Sequence, residues 1–388
     1  MRIAALALAA GLLASALPQP GRAADPLTIP VIASVTGSGA FASAEDLTAI
    51  RIIENTVNAR GGIRGRQIHF VVQDDQTNPA LGVQLVNELI AKKATYFLGP
   101  TITAVCSAVL PLIREAGPVT YCYSPGIHPA QGSYMFSVGA STRDQAAVTA
   151  KFIHDRRWTR IGFIASTDAS GQDFETKFND VLTAKENAGL TVVDREHFAV
   201  ADLSVAAQIT RIKAAEPDVI IAWTIGTGFG TTLRAMKDLG VQTPVVGGLG
   251  NAVYAQLAQY APIMPKELYF PGMRGMSLQV ANPRPIHAKQ VEYYDAFTKA
   301  GLRPDGPATL AWDSTLLFLD AVTQLGPDAP AQQIRDFIRE RRGWVGINGV
   351  YDFHDPEQRG LDVQACVVYR YDPAQQTFVP ITKPGGAI

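Results

Sequence analysis

Hydroxyl side chains that follow apolar strand-like runs are the first candidates for chemistry. Thr101 and Thr103 flank Ile102 just ahead of a predicted helix that starts near Ala104, and Ser124 follows a predicted strand ending at Tyr121. Hydroxyls and free N–H groups at the start of a helix offer hydrogen-bond donors to a carboxylate or phosphate. The same residues also serve as ordinary helix caps, and residue type alone leaves both readings open. Gly37, Gly39 and Ala42 fit G-x-G-x-x-A after the first predicted strand. The acid that a dinucleotide-binding unit needs would be Asp74 or Asp75, further on than the usual ~20 residues, so the pattern reads as a Gly-rich turn that lets a ligand approach backbone N–H groups. Gly226, Gly228 and Gly230 form a second such turn. Asp74 and Asp75 are adjacent at a strand end and point to opposite faces, which suits bracing a loop better than acid/base work. The six His are dispersed without metal-ligand spacing, and G-x-S-x-G does not occur. These residues therefore propose no catalytic group, no metal and no cofactor, and an enzyme of two α/β lobes is the least supported reading.

Composition narrows the partners. Apolar residues make up 47% and charged residues 18%, and the formal net charge is -1. Such a chain has no basic field for nucleic acid or anionic lipid. Met1-Arg2 followed by the apolar run from Ile3 to Leu17, then Gly21-Arg22-Ala23, has the layout of a secretory signal peptide covering residues 1–23, with cleavage after Ala23. The apolar run is short for a span of roughly 20 residues, and Pro18 and Pro20 interrupt its end. The expected location is the periplasm, and the expected state is a monomer. Cys106, Cys122 and Cys366 are too few for a disulfide scaffold, but export permits one bridge. Cys106 lies one turn into its helix and Cys122 ends the next strand, so both sit near one sheet edge. A Cys106–Cys122 bridge is expected, with two buried thiols as the alternative.

Elements must carry these residues, and the chain reads as alternating strands and helices. Strand-like runs at Leu27–Val35, Ile68–Val72, Tyr96–Leu98 and Val119–Tyr121 are separated by helical patterns, including Glu45–Asn58 with apolar spacing through Leu47, Ile50, Ile53 and Val57. The alternation restarts at Arg160–Ala165 and continues to Val245-Val246. Regular strand–helix–strand alternation argues parallel sheets covered by helices. The fold class is α/β, with two similar Rossmann-like lobes. Three later helices and two strands return to complete both lobes, so the chain crosses several times, at about Val138–Ala140, Pro271–Arg274 and Val350–Asp352. Residues 24–139 plus 273–350 form lobe 1, and residues 140–272 plus 351–388 form lobe 2.

Order and spacing of several blocks resemble the type I periplasmic solute-binding proteins, in the branch of the leucine/isoleucine/valine-binding proteins. The blocks are Asn58 to Gly65 with its Gly61-Gly62-Ile63, Gln73 to Pro79, Gly99-Pro100-Thr101-Ile102-Thr103, Tyr121 to Pro125, and Leu233 onward to Gly247-Gly248. The resemblance implies two lobes that close over a small molecule and a membrane ABC permease that receives it. It implies that lobe 1 holds a ligand carboxylate, at Thr103, Cys122, Tyr123 and Ser124. Lobe 2 would contribute Ser170, Gly226 and Leu249.

Departures from that pattern shape the ligand. Family members that bind amino acids pair the ammonium with a lobe 2 Glu; the matching position here is about Leu249, with no acid beside it. A Tyr of the lobe 2 loop is replaced by the stretch Asp168 to Gln172. An unpaired buried ammonium costs several kcal/mol, so the expected ligand is a small carboxylate without an amine. Phe41, Tyr121, Tyr123, Trp223 and Phe229 fall in or beside the cleft loops and suit an aromatic acid, with about half of them expected to pack inside the lobes. Branched-chain or other amino-acid binding, and ligand sensing on the same fold, are the alternatives.

Overall fold

Leu27–Ala33, the first apolar run after the signal-like segment, is strand β1 of a computed structural model that describes residues 25–388. The expected signal peptide lies outside the described residues. Helix α1, Ala40–Ala59, leads to β2, Ile68–Asp74, which pairs parallel to β1 in full register. Asn78 caps α2, Pro79–Ala91, by accepting from the Ala80 and Leu81 N–H groups, with Pro79 at the first helical position. Single bridges Val31↔Leu98 and Tyr96↔Val119 extend the same parallel sheet. Helix α3, Thr103–Val109, follows, and then β3, Thr120–Tyr121, and β4, Met135–Phe136, paired parallel.

The second lobe begins with α4, Thr142–Asp155. Its start carries a capping box in which the Ser141 side chain accepts from the Asp144 N–H and the Asp144 carboxylate accepts from the Ser141 N–H. This helix is absent from the sequence reading, although Ser141-Thr142-Arg143-Asp144 is its signature. Strand β5, Arg160–Ser166, α5, Ala169–Leu182, β6, Thr191–Phe198, α6, Ala206–Ala214, β7, Val219–Trp223, α7, Thr227–Asp238, β8, Val245–Gly247, α8, Tyr254–Gln259, and β9, Leu268–Met273, follow in order. Helices α9, Arg284–Lys299, α10, Ala308–Leu325, and α11, Ala331–Arg339, then return to the first lobe with the hairpin of β10, Arg342–Val345, and β11, Val350–Asp352. Helix α10 packs along α1. Strands β12, Cys366–Asp372, and β13, Thr377–Pro380, end the chain in the second lobe.

The lobe 2 sheet has seven strands in the order β13-β12-β9-β8-β7-β5-β6. Pairs from β6 through β9 are parallel, and β12 and β13 add antiparallel at one edge. β7 is buried at every residue, as a strand covered on both faces must be. The fold is therefore α/β, with two lobes built on mostly parallel sheets. The first passage between lobes falls at Val138–Ala140 as expected, but the other two lie later than expected: Pro271–Met273 pair with β12 inside the lobe 2 sheet, and Val350–Asp352 pair with β10, so those passages follow Met273 and Asp352. These passages touch one another: the Ser137 N–H donates to the Gln358 carbonyl at 3.3 Å, and the Arg359 guanidinium donates to the carbonyls of Val138 and Ile127. The first and last passages thus hydrogen-bond to each other.

Candidate functional site

A cavity of about 70 Å3 lies between the lobes. Its lobe 1 wall comes from the start of α3 and the segment after β3. Cys106 in α3 is bridged to Cys122, with Cα atoms 6.0 Å apart, so the two segments are covalently tied. Beyond that tie the Thr103 and Ser124 hydroxyls meet at 2.5 Å. One hydroxyl proton is committed to that bond and the other remains available. The first N–H groups of α3 have no intrahelical acceptor, and the Ser124 N–H has Cys122 Sγ at 3.4 Å as its contact. The Tyr123 ring is buried along the cavity, with its hydroxyl 2.9 Å from Thr315 Oγ1 of α10.

Lobe 2 supplies Ser170 from the first turn of α5, Trp223 at the end of β7, then Thr224 and Ile225, and Gly248 to Gly250 after β8. The Trp223 indole stacks on Phe174 of α5, with centroids 3.4 Å apart and planes 6° apart. The segment after β7 is held by Asn251: its Nδ2 donates to the Thr224 carbonyl at 2.6 Å, and its Oδ1 accepts from the Gly226 N–H at 3.1 Å. Gln256 Nε2 and the Tyr260 hydroxyl both donate to the Gly226 carbonyl.

Six of the nine expected ligand residues line this cavity together: Thr103, Tyr123, Ser124, Ser170, Trp223 and Leu249. The other three do not. Phe41 faces a separate outer groove with Leu203, Thr227 and Tyr260, because one turn of α1 carries it away from the cleft. The Cys122 side chain is spent in the bridge and buried behind the wall. Gly226 sits where the lobes touch: its φ is 56°, and a Cβ there would lie 2.0 Å from the Ser38 carbonyl oxygen. Tyr121 packs on Phe136 and Phe229 on Phe270, inside their own lobes. Asp74 and Asp75 brace the loop after β1, through Thr36 and through the Ser34 hydroxyl at 2.6 Å.

Asp46, Gln145 and Thr224 also line the cavity, and Asp46 places an acid in the same cavity as Leu249, where the sequence spacing shows none. Each holds a buried oxygen without a hydrogen-bond partner among the described residues: Asp46 Oδ1, Gln145 Oε1 and Thr224 Oγ1. Buried polar atoms are nearly always paired, so three orphans around one cavity mark a place for a polar ligand. Burial, then the neighbouring Asp305 and Glu45 carboxyls, push the Asp46 carboxyl well above the usual carboxylate range. Its position was legible: Asp46 lies four residues before Ile50 and seven before Ile53, on the buried stripe of α1. No Lys, Arg or His is among the described residues lining the cavity.

A polar contact closes the cleft nearby. His128, in the lobe 1 segment after β3, has Nε2 2.8 Å from Asp173 of α5 in lobe 2 and Nδ1 3.1 Å from Glu357 in the last passage. Hydrogen bonds to Asp173 and Glu357 outweigh burial and raise the His128 pKa to about 9. Burial works to raise the Glu357 pKa, but His128 and Arg359 hold it at about 2. Among the described residues no helix is long and apolar enough to cross a membrane, and no cluster of His, Cys, Asp or Glu is placed to hold a metal.

With the two walls and the passages between lobes described, known proteins can be set beside the chain. The sequence profile of the periplasmic binding protein family matches residues 26–376. The chain belongs to that family. The Leu/Ile/Val-binding protein BraC3 of Rhizobium johnstonii is 25% identical over 247 residues, 63% of this chain and 66% of that protein. A Leu/Ile/Val-binding protein homologue of Brucella melitensis is 23% identical over 58% of this chain and 61% of its own length. The chain thus aligns with less than two thirds of the length of each. A homologue from Brucella suis is 23% identical over 87% of this chain and 88% of its own. Solved structures share the fold. A benzoate-bound solute-binding protein of an ABC transporter from R. palustris has a TM-score of 0.75 at 18% identity, covering 92% of this chain and 95% of that one. An isoleucine-bound substrate-binding protein from Streptococcus pneumoniae has a TM-score of 0.75 at 19% identity, covering 92% and 99%. Members of this family capture small molecules and work with ABC permeases.

Proposed function

We propose that this binding protein is the periplasmic component of an ABC importer and captures a small carboxylate without an amine, an aromatic acid, between its closing lobes. One observation carries the reading: the cleft sets the hydroxyl pair of Thr103 and Ser124 in lobe 1 and the Trp223 indole of lobe 2 around one cavity. The carboxylate sits on the two hydroxyls and neighbouring N–H groups. Charge-assisted hydrogen bonds of this kind contribute roughly 1.5–3 kcal/mol each. The ring lies between Tyr123 and Trp223. The benzoate held by the R. palustris neighbour is consistent with such a ligand on this fold.

Size adds a mechanical requirement. The closed cavity of about 70 Å3 is smaller than the ~150 Å3 of an engineered cavity that takes up benzene. A ring therefore enters while the lobes are open, and cavity side chains shift to admit it as they close.

A thermal-shift screen tests the reading, because a ligand that binds the native state stabilises it by RT ln(1 + [L]/Kd). Benzoate-like and phenyl-oxoacid compounds should raise Tm, and leucine, dicarboxylates and sugars should leave it in place. Stabilisation by leucine alone would overturn it in favour of amino-acid binding.

A further inference from the structure

The orphaned oxygens of the cavity ask for something a plain carboxylate lacks. Asp46 Oδ1, Gln145 Oε1 and Thr224 Oγ1 are all oxygens buried without a partner among the described residues, and all three residues line the cavity. Gln145 spends its amide N–H on the Ala140 carbonyl, at 3.5 Å, so its free Oε1 only accepts. An ionised carboxylate has no proton to offer these atoms. The Thr224 hydroxyl and a protonated Asp46 can donate to a carboxylate, but Gln145 Oε1 needs a donor that the ligand brings.

We infer that Asp46 recognises a hydroxyl group carried by the ligand in addition to its carboxylate, so that the preferred substrate class is a hydroxylated aromatic acid. The inference rests on the carboxylate reading above and deepens it. Asp46 is 1% exposed, and the acids around it are Glu45, its neighbour on α1, and Asp305, just ahead of α10; Arg303 acts on Asp305. Burial and these two carboxyls favour the protonated form of Asp46. A neutral carboxyl both donates and accepts, and a hydroxyl answers both functions without bringing a charge into the cavity.

Titration calorimetry on the purified protein tests this with benzoate, 3- and 4-hydroxybenzoate and leucine, using wild type, Asp46→Asn and Asp46→Leu. At least one hydroxylated acid should bind tenfold or more tightly than benzoate. Asp46→Leu should erase that preference, and Asp46→Asn, which still donates and accepts, should keep most of it. The wild-type comparison stands even where a variant folds poorly. Equal binding of benzoate and both hydroxybenzoates, or a preference that survives in Asp46→Leu, would overturn the inference and leave the carboxylate reading intact. Tight leucine binding abolished by Asp46→Asn would overturn it in favour of an ammonium at Asp46. Failure of all three aromatic acids to bind would overturn the carboxylate reading itself, and the inference with it.

Discussion

The two walls of the cleft are held by different means. Lobe 1 fixes its polar wall covalently: the Cys106–Cys122 bridge ties α3 to the segment that carries Tyr123 and Ser124. Lobe 2 fixes its aromatic wall by packing and hydrogen bonds: Trp223 rests on Phe174, and Asn251, Gln256 and Tyr260 hold the chain that follows. Donor geometry must be kept within tenths of an ångström to hold a carboxylate, whereas a ring slides along an aromatic surface at little cost. The wall with the stricter geometry is the one that carries the covalent tie.

That contrast breaks first at the bridge. Cys106→Ser with Cys122→Ser opens a loop of sequence separation 16, which costs about 3 kcal/mol in the chain-entropy picture. Tm should fall by several degrees and carboxylate affinity should fall with it. A double variant with unchanged Tm and unchanged affinity would show that the lobe 1 wall needs no tie.

Next in size is the hydroxyl pair. Thr103→Val removes one of two hydroxyls that meet at 2.5 Å while keeping the β-branched shape. Carboxylate binding should weaken tenfold or more, on the order of 1.4 kcal/mol, with the melting curve little changed. Equal loss for an uncharged ligand of the same shape would assign Thr103 a packing role.

The smallest effect belongs to the contact that joins the walls. His128 rises from an ordinary 6.5 to about 9 in the closed cleft, so its contribution to closure is full below about pH 6.5 and is lost as pH rises through 9. Glu357, lowered from 4.5 to about 2, contributes above 4.5 and loses its part as pH falls through 2. Ligand affinity should therefore decline a few-fold between pH 6 and pH 9.5, and His128→Asn should flatten that profile. An unchanged slope in the variant would place the titration elsewhere.

The sequence made one wall more legible than the other. Thr103 and Ser124 stand in short blocks whose order marks lobe 1, and the strand–helix alternation made both sheets readable. Trp223 was legible as an aromatic at a strand end. Phe41 was misplaced because a loop position in sequence does not say which way the first turn of a helix turns. Asp46 falls inside the predicted Glu45–Asn58 helix, but which cavity its face meets depends on how α1 packs, and Gln145 lies on α4, which apolar spacing alone does not mark. Both could have been found, Asp46 from an acid on an otherwise apolar stripe and α4 from its capping box. Thr224 carries no signal, since its exposure to the cavity depends on how Asn251 folds the segment after β7.

The central claim is that a carboxylate on lobe 1 and a ring on lobe 2 define the ligand, and calorimetry of aromatic acids against leucine tests it most directly. Wild-type protein at pH 7 should bind an aromatic carboxylate tightly and leucine weakly or not at all. Tight binding of leucine with no heat from any aromatic acid would contradict the account.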